Sequence, residues 1–163
     1  MRTTASALIA VLACTTLAAQ AQSVRTERNI SLALASQVAT EAVSACAANG
    51  YAVAATVVDR AGTVRAVLRA DNAGPHTLPS SQQKAWTSAS AKNTTLAMME
   101  GAQKNPAAAN LATLPGFLLL GGGVPIKVGN ETIGAVGVGG APGGHLDEQC
   151  ALAAIDKVKG QLQ

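Results

Sequence analysis

Residues 121–150 read GGGVPIKVGNETIGAVGVGGAPGGHLDEQC, and the order of their turn formers and apolar runs decides the fold. Val124–Val128 is an apolar run broken by Lys127. Gly129-Asn130 tolerates positive φ and lets the chain reverse there. Thr132–Val138 returns with Ile133, Ala135, Val136 and Val138 apolar. Gly134, Gly137, Gly139 and Gly140 lack a Cβ, so another backbone or a ligand can approach closely. GGAPGGHLDEQ then turns the chain into a last helix, about Leu146 to Gln161. Ala151, Ile155, Val158 and Leu162 form its inward stripe. Asp147 and Glu148 in its first turn and Lys157 and Lys159 near its end suit the helix dipole.

Upstream, Ser31 is an N-cap for a helix that stops at Asn49-Gly50. Tyr51–Asp59 and Thr63–Arg69 are β-rich runs separated by Arg60-Ala61-Gly62, which reads as a hairpin. Arg65 and Arg69 share one face of its second strand. A turn-rich loop, ADNAGPHTLPSS, leads to a helix capped by Ser80 or Ser81. Asn93-Thr94-Thr95 marks a break and a fresh N-cap. Leu96–Lys104 is a second short helix and Pro106–Leu111 a third turn. Phe117–Leu120 then enters the sheet as a strand. Hairpins beside helices point to an α+β domain with an antiparallel sheet.

Arg2, the apolar run Ala5–Ala13 and Ala19-Gln20-Ala21 read as a signal peptide over residues 1–21, too short to span a bilayer. Val11–Cys14 is a rival, lipoprotein-type reading. Residues 22–163 form a single domain, with no membrane span among them. Hydrophobic residues make up 48% of the chain and aromatics only 2%, so the core must rest on small side chains, and surface is left that a homo-oligomer would cover. A net charge of +3, scattered and without interleaved aromatics, argues against nucleic acid. Cys46 and Cys150 remain after signal removal, near the end of the first helix and the start of the last. In an oxidising compartment they read as a disulfide, with two buried thiols as the alternative.

The closing GGG-x-P-I strand, the IGAVGV strand and the D-x-x-C helix, preceded by VVDRAGTVRAVLRAD and KAWTSAS, resemble the GlcG/HbpS-type family of haem-binding or haem-degradation-associated proteins. The resemblance runs from about Ile30 to the C-terminus. It implies a profilin-like α+β fold with a five-stranded antiparallel sheet and flanking helices. It also implies a secreted or periplasmic haem-binding protein that sequesters or senses haem. The alternatives are an enzyme or accessory protein acting on a small hydroxy acid, with Lys84, His76 and Asp71 around it, and a purely structural oligomer.

His76, bracketed by Pro75 and Pro79, is the candidate iron ligand, since neutral imidazole is a common haem ligand. Arg69 and Lys84 are candidates for the propionates. Thr77 or Thr94 could supply a hydroxyl ligand instead. Lys84 reads equally as a helix-surface lysine covering apolar surface. His145 lies at the start of the last helix, where a positive imidazole would oppose the dipole. The glycine-rich bend has Pro142 where a dinucleotide fingerprint needs glycine, and no GK[ST] follows, so it reads as a tight bend. Nothing marks a hydrolytic triad, and spacing alone does not pair Asp59 with Asp71 as acid and base. The few large side chains for a ligand wall are Tyr51, Trp86, Phe117, Met98 and Met99.

Overall fold

The computed structural model describes residues 24–163; the expected signal segment and Cys14 lie outside them. The elements are α1 (Leu32–Ala47), β1 (Ala54–Asp59), β2 (Val64–Arg69), α2 (Thr77–Ala91), α3 (Thr95–Lys104), a 3-10 stretch (Pro106–Thr113), β3 (Gly123–Val128), β4 (Glu131–Gly139), α4 (Gly144–Val158) and a closing 3-10 turn (Lys159–Gln161). Ser31 caps α1 by accepting a hydrogen bond from the Leu34 N–H at 3.2 Å. Thr94 caps α3 in the same way through the Ala97 N–H. Both hairpins form where the turn residues place them.

The sheet has four strands in the order β2-β1-β4-β3, antiparallel throughout. The expected fifth strand does not form. Around Phe117–Leu120 the chain spends its polar backbone on helices. The Leu118 N–H donates to Thr87 Oγ1 at 2.9 Å, and the Leu120 carbonyl accepts from Thr95 Oγ1 at 2.7 Å. With those groups taken, the segment has no ladder to offer β3.

Helices α1 and α4 cover one face of the sheet and α2 the other. On the first face Ala55, Val57, Val124, Ile126, Val136 and Val138 pack against Ala35, Val38, Ala39, Ala42, Ala151, Ala154 and Val158. The disulfide Cys46–Cys150 joins the two helices, with Cα atoms 5.4 Å apart. The α2 face is built for close approach. Gly123 and Gly137 oppose each other across β3 and β4. A Cβ on Gly137 would run into the Ser81 carbonyl, and one on Gly123 into the Lys84 carbonyl. A small-residue core therefore becomes a thin, tightly stacked sandwich.

Helix α2 starts at Thr77, ahead of the expected Ser80 or Ser81, and takes Pro79 into its first turn. First-turn N–H groups have no intrahelical acceptor, so proline loses nothing there. The consequence is positional: His76 moves from a loop to the N-cap position of α2. β2 is an edge strand with exposed Val64, Val67 and Leu68. Arg65 and Arg69 guard that edge against pairing with another strand.

Candidate functional site

A buried polar array lies between α2 and α4. Lys84 is 1% exposed and Asp147 3%. Lys84 Nζ donates to Asp147 Oδ2 at 2.7 Å and to the Val138 carbonyl at 2.9 Å. The other carboxylate oxygen of Asp147 accepts from the Ala141 N–H at 2.9 Å. Burial pushes the Asp147 carboxyl up from its ordinary range, against the lowering pull of Lys84 and of the Ala141 and Gly140 backbone. Next to it, Glu148 Oε2 accepts from the Leu96 N–H at 3.2 Å, at the start of α3. Asp147 sits in the first turn of α4, as its dipole favours, and Asp147 and Glu148 also tie that helix to α2 and α3. Lys84 was expected at the helix surface or on a ligand. The structure places it inside, with its ammonium committed to Asp147 and Val138.

The outward side of α2 carries the other candidates. His76 is exposed and makes no capping bond. Its imidazole folds over Gly74, where a Cβ would come within 2.8 Å of Nδ1. Pro79, Gln83 and Trp86 follow His76 at helical spacing on the same side. Pro79, Gln82, Gln83, Trp86 and Gly116 line an open groove of about 330 Å³. Phe117 meets the Trp86 ring edge-on at 5.6 Å.

Thr77 is buried, and its hydroxyl donates to the Gly74 carbonyl at 2.7 Å, so it holds the loop that presents His76. Arg69 Nη1 donates to the Ala73 carbonyl at 2.5 Å in that same loop. His76, Thr77 and Arg69 therefore meet around residues 69–77, while Lys84 supports the helix from behind. Asp59 is structural: its Oδ1 accepts from the Ala61 and Thr63 N–H groups and its Oδ2 pairs with Arg65 at 3.1 Å. Asp71 and His145 are exposed. Among the described residues no group of three His, Cys, Asp or Glu side chains could hold a metal ion. Gln83 is a groove residue that the sequence did not point to, and Trp86 stood there only as a candidate for a ligand wall. The signal was available in their spacing from His76, once α2 starts at Thr77.

The donor set suits haem in one respect, an exposed imidazole on the loop that Arg69 bonds. A groove of this volume lies at the low end for ligand pockets, so a haem would rest on it rather than be enclosed.

An antiparallel sheet between helical layers defines a small α+β class of domain. The chain matches the family described as haem degrading protein HbpS-like over residues 30–156, and it belongs to that family. It is similar to a crystallised double mutant of Streptomyces reticuli HbpS, at 34% identity and a TM-score of 0.79, covering 90% of this chain and 98% of that one. The Klebsiella pneumoniae protein ORFY is similar at 29% identity and a TM-score of 0.79, covering 83% and 94%. A PduOC:heme complex shares the fold at 23% identity and a TM-score of 0.70, covering 78% and 94%. No curated protein matches the chain.

Proposed function

We propose that the protein binds haem in an open site on the outward side of α2, with His76 as the iron ligand. The observation that carries this reading is the exposed imidazole about one helical turn before Pro79, the first lining residue of a groove walled by Trp86. Arg69 stands at the same loop to meet a propionate, and Thr77 and Lys84 fix the helix end that presents His76. When bound, haem supplies a redox-active iron; the chain supplies one imidazole, a basic rim and an indole wall. The HbpS-like family and a fold relative crystallised with heme support the reading. A periplasmic or secreted location is supported by the signal reading of residues 1–21 and by the Cys46–Cys150 bond. A homo-oligomer is supported by the exposed Leu78, Leu114, Leu120 and Leu152.

The test is an absorbance titration of the protein and of His76→Ala with haem. Saturable binding with a Soret shift that weakens at least about tenfold in the variant is expected for loss of an iron ligand. Binding unchanged by the substitution would move the ligand elsewhere. Absence of saturable binding by the wild type would favour the small hydroxy acid reading, checked by thermal stabilisation with glycolate-sized acids.

A further inference from the structure

Trp86 is the only tryptophan in the chain, yet it belongs to neither buried core cluster. It is held as a fixed wall instead. A Cβ on Gly62, in the β1–β2 turn, would lie 2.6 Å from its Cδ1, and one on Gly116 would lie 3.3 Å from its Cζ3. Both glycines have positive φ, +83° and +85°, so the two turns close on opposite edges of the indole without side chains of their own.

Beside the Gly62 edge is a second cavity of about 230 Å³, distinct from the groove below His76. Arg60, Ala61, Gly62, Trp86, Ala89, Ser90 and Lys92 line it, and no acid does. The indole N–H has no hydrogen-bond partner among the described residues, so it is available as a donor. Lys92 has no carboxylate within ion-pair distance among those residues. Arg60 is already engaged, with Glu131 at 2.7 Å and Glu27 at 3.3 Å. Lys92 is also the one non-glycine residue among those described with positive φ, at 56°. It occupies the helix C-cap, where glycine is the low-cost residue. A strained lysine at a cavity mouth warrants a functional reading. The C-terminal end of α2 carries the equivalent of about −0.5 charge, which opposes an anion. The full positive charge of the Lys92 ammonium exceeds that partial charge, and Lys92 is the lining cation that no carboxylate pairs among the described residues.

We infer that this cavity is a binding site for a small aromatic carboxylate, its ring against Trp86 and its carboxylate on the Lys92 ammonium. The site does not use His76, and Trp86 is the one lining residue it shares with the groove of Pro79, Gln82, Gln83 and Gly116.

The single tryptophan makes the test direct. Fluorescence of Trp86 in the full chain is titrated with benzoate, with neutral benzamide and with inorganic phosphate. The expected result is a saturable response to benzoate, at least tenfold weaker for the other two. Affinity falls about tenfold or more in Lys92→Gly, the loss of one charge-assisted contact, and stays unchanged in His76→Ala. Lys92→Gly relieves the positive φ, so it should keep its fold and raise the thermal midpoint by a few degrees. Lys92→Gln removes the charge while keeping a side chain, and should lose the same affinity. No saturable response, an equal response to benzamide or phosphate, or full affinity in both Lys92 variants would overturn the assignment.

Discussion

Replacing Lys84 by Met tests what holds α2 in place. The substitution keeps an unbranched apolar stem and removes the ammonium that bonds Asp147 at 2.7 Å and the Val138 carbonyl at 2.9 Å. Asp147 keeps the Ala141 N–H but loses its cation. Breaking a buried ion pair from one side costs about 3–5 kcal/mol, a large part of the roughly 5–15 kcal/mol that holds a domain folded. The cost depends on pH, and its sign is fixed by Asp147. Burial raises its folded carboxyl above the unfolded value. The folded state therefore holds that proton more tightly, and stability falls as pH rises from the unfolded value through the raised one. Without Lys84 the lowering pull is gone and the window extends upward. Urea denaturation across about pH 4 to 8 should show Lys84→Met losing least in acid, where Asp147 is protonated, and most at neutral pH. The double variant Lys84→Met, Asp147→Asn should recover a substantial part of the loss. A neutral-pH loss below about 1 kcal/mol, the range of exposed pairs, or a loss that does not change with pH, would refute the reasoning.

Two further perturbations probe the same architecture. Gly137→Ala drives a methyl into the Ser81 carbonyl and, at 2.5 Å, the Ala85 nitrogen. Both neighbours are backbone, so α2 must lift, and thermal denaturation should show a loss of about 1–3 kcal/mol or more. Removing the Cys46–Cys150 bond, which closes a separation of 104 residues, should cost about 2–5 kcal/mol. Wild type with a dithiol reductant should then match the Cys46→Ala, Cys150→Ala double variant in a chemical melt.

Much of the fold was legible because its signals are local. Ser31, Thr94, Gly129-Asn130 and Arg60-Ala61-Gly62 act within a few residues of themselves, and each does in the structure what its chemistry dictates. The misreadings came where a distant partner decides. Phe117–Leu120 has strand composition, but Thr87 and Thr95 claim its backbone. Pro79 looks like a loop residue until its position in a first turn makes the missing N–H harmless. Asp147 and Glu148 suit the α4 dipole, and Lys84 reads as a surface lysine or a cation facing a ligand. Only the packing of α2 against β4 and α4 makes them a buried array. Charge type and spacing alone carry no information about a partner that is 63 residues away.

That array also links stability to the site. One side of α2 is pinned by Lys84, Ser81 and Thr77. Lys84 bonds α4, Ser81 shares a 2.8 Å hydrogen bond with Thr56 on β1, and Thr77 holds the Gly74 carbonyl. The other side carries the exposed His76 and the groove residues Gln83 and Trp86. A helix of 15 residues is too short to be rigid by itself, since helices of this length are marginal without tertiary packing. Its outward face can keep a fixed geometry only because polar anchors recur along its inward one. Apolar packing would not supply that on this sheet. The residues beneath α2 are mostly small (Gly123, Gly137 and Ala135, with Val58 and Thr56 beside them); their apolar contacts are non-directional, whereas hydrogen bonds from Lys84 and Ser81 specify a rotation and a register. The buried polar groups are thus the means by which a core of small residues sets the orientation of the groove. Weakening the Lys84–Asp147 pair should lower the haem affinity proposed for His76, read in the absorbance titration, before it unfolds the domain.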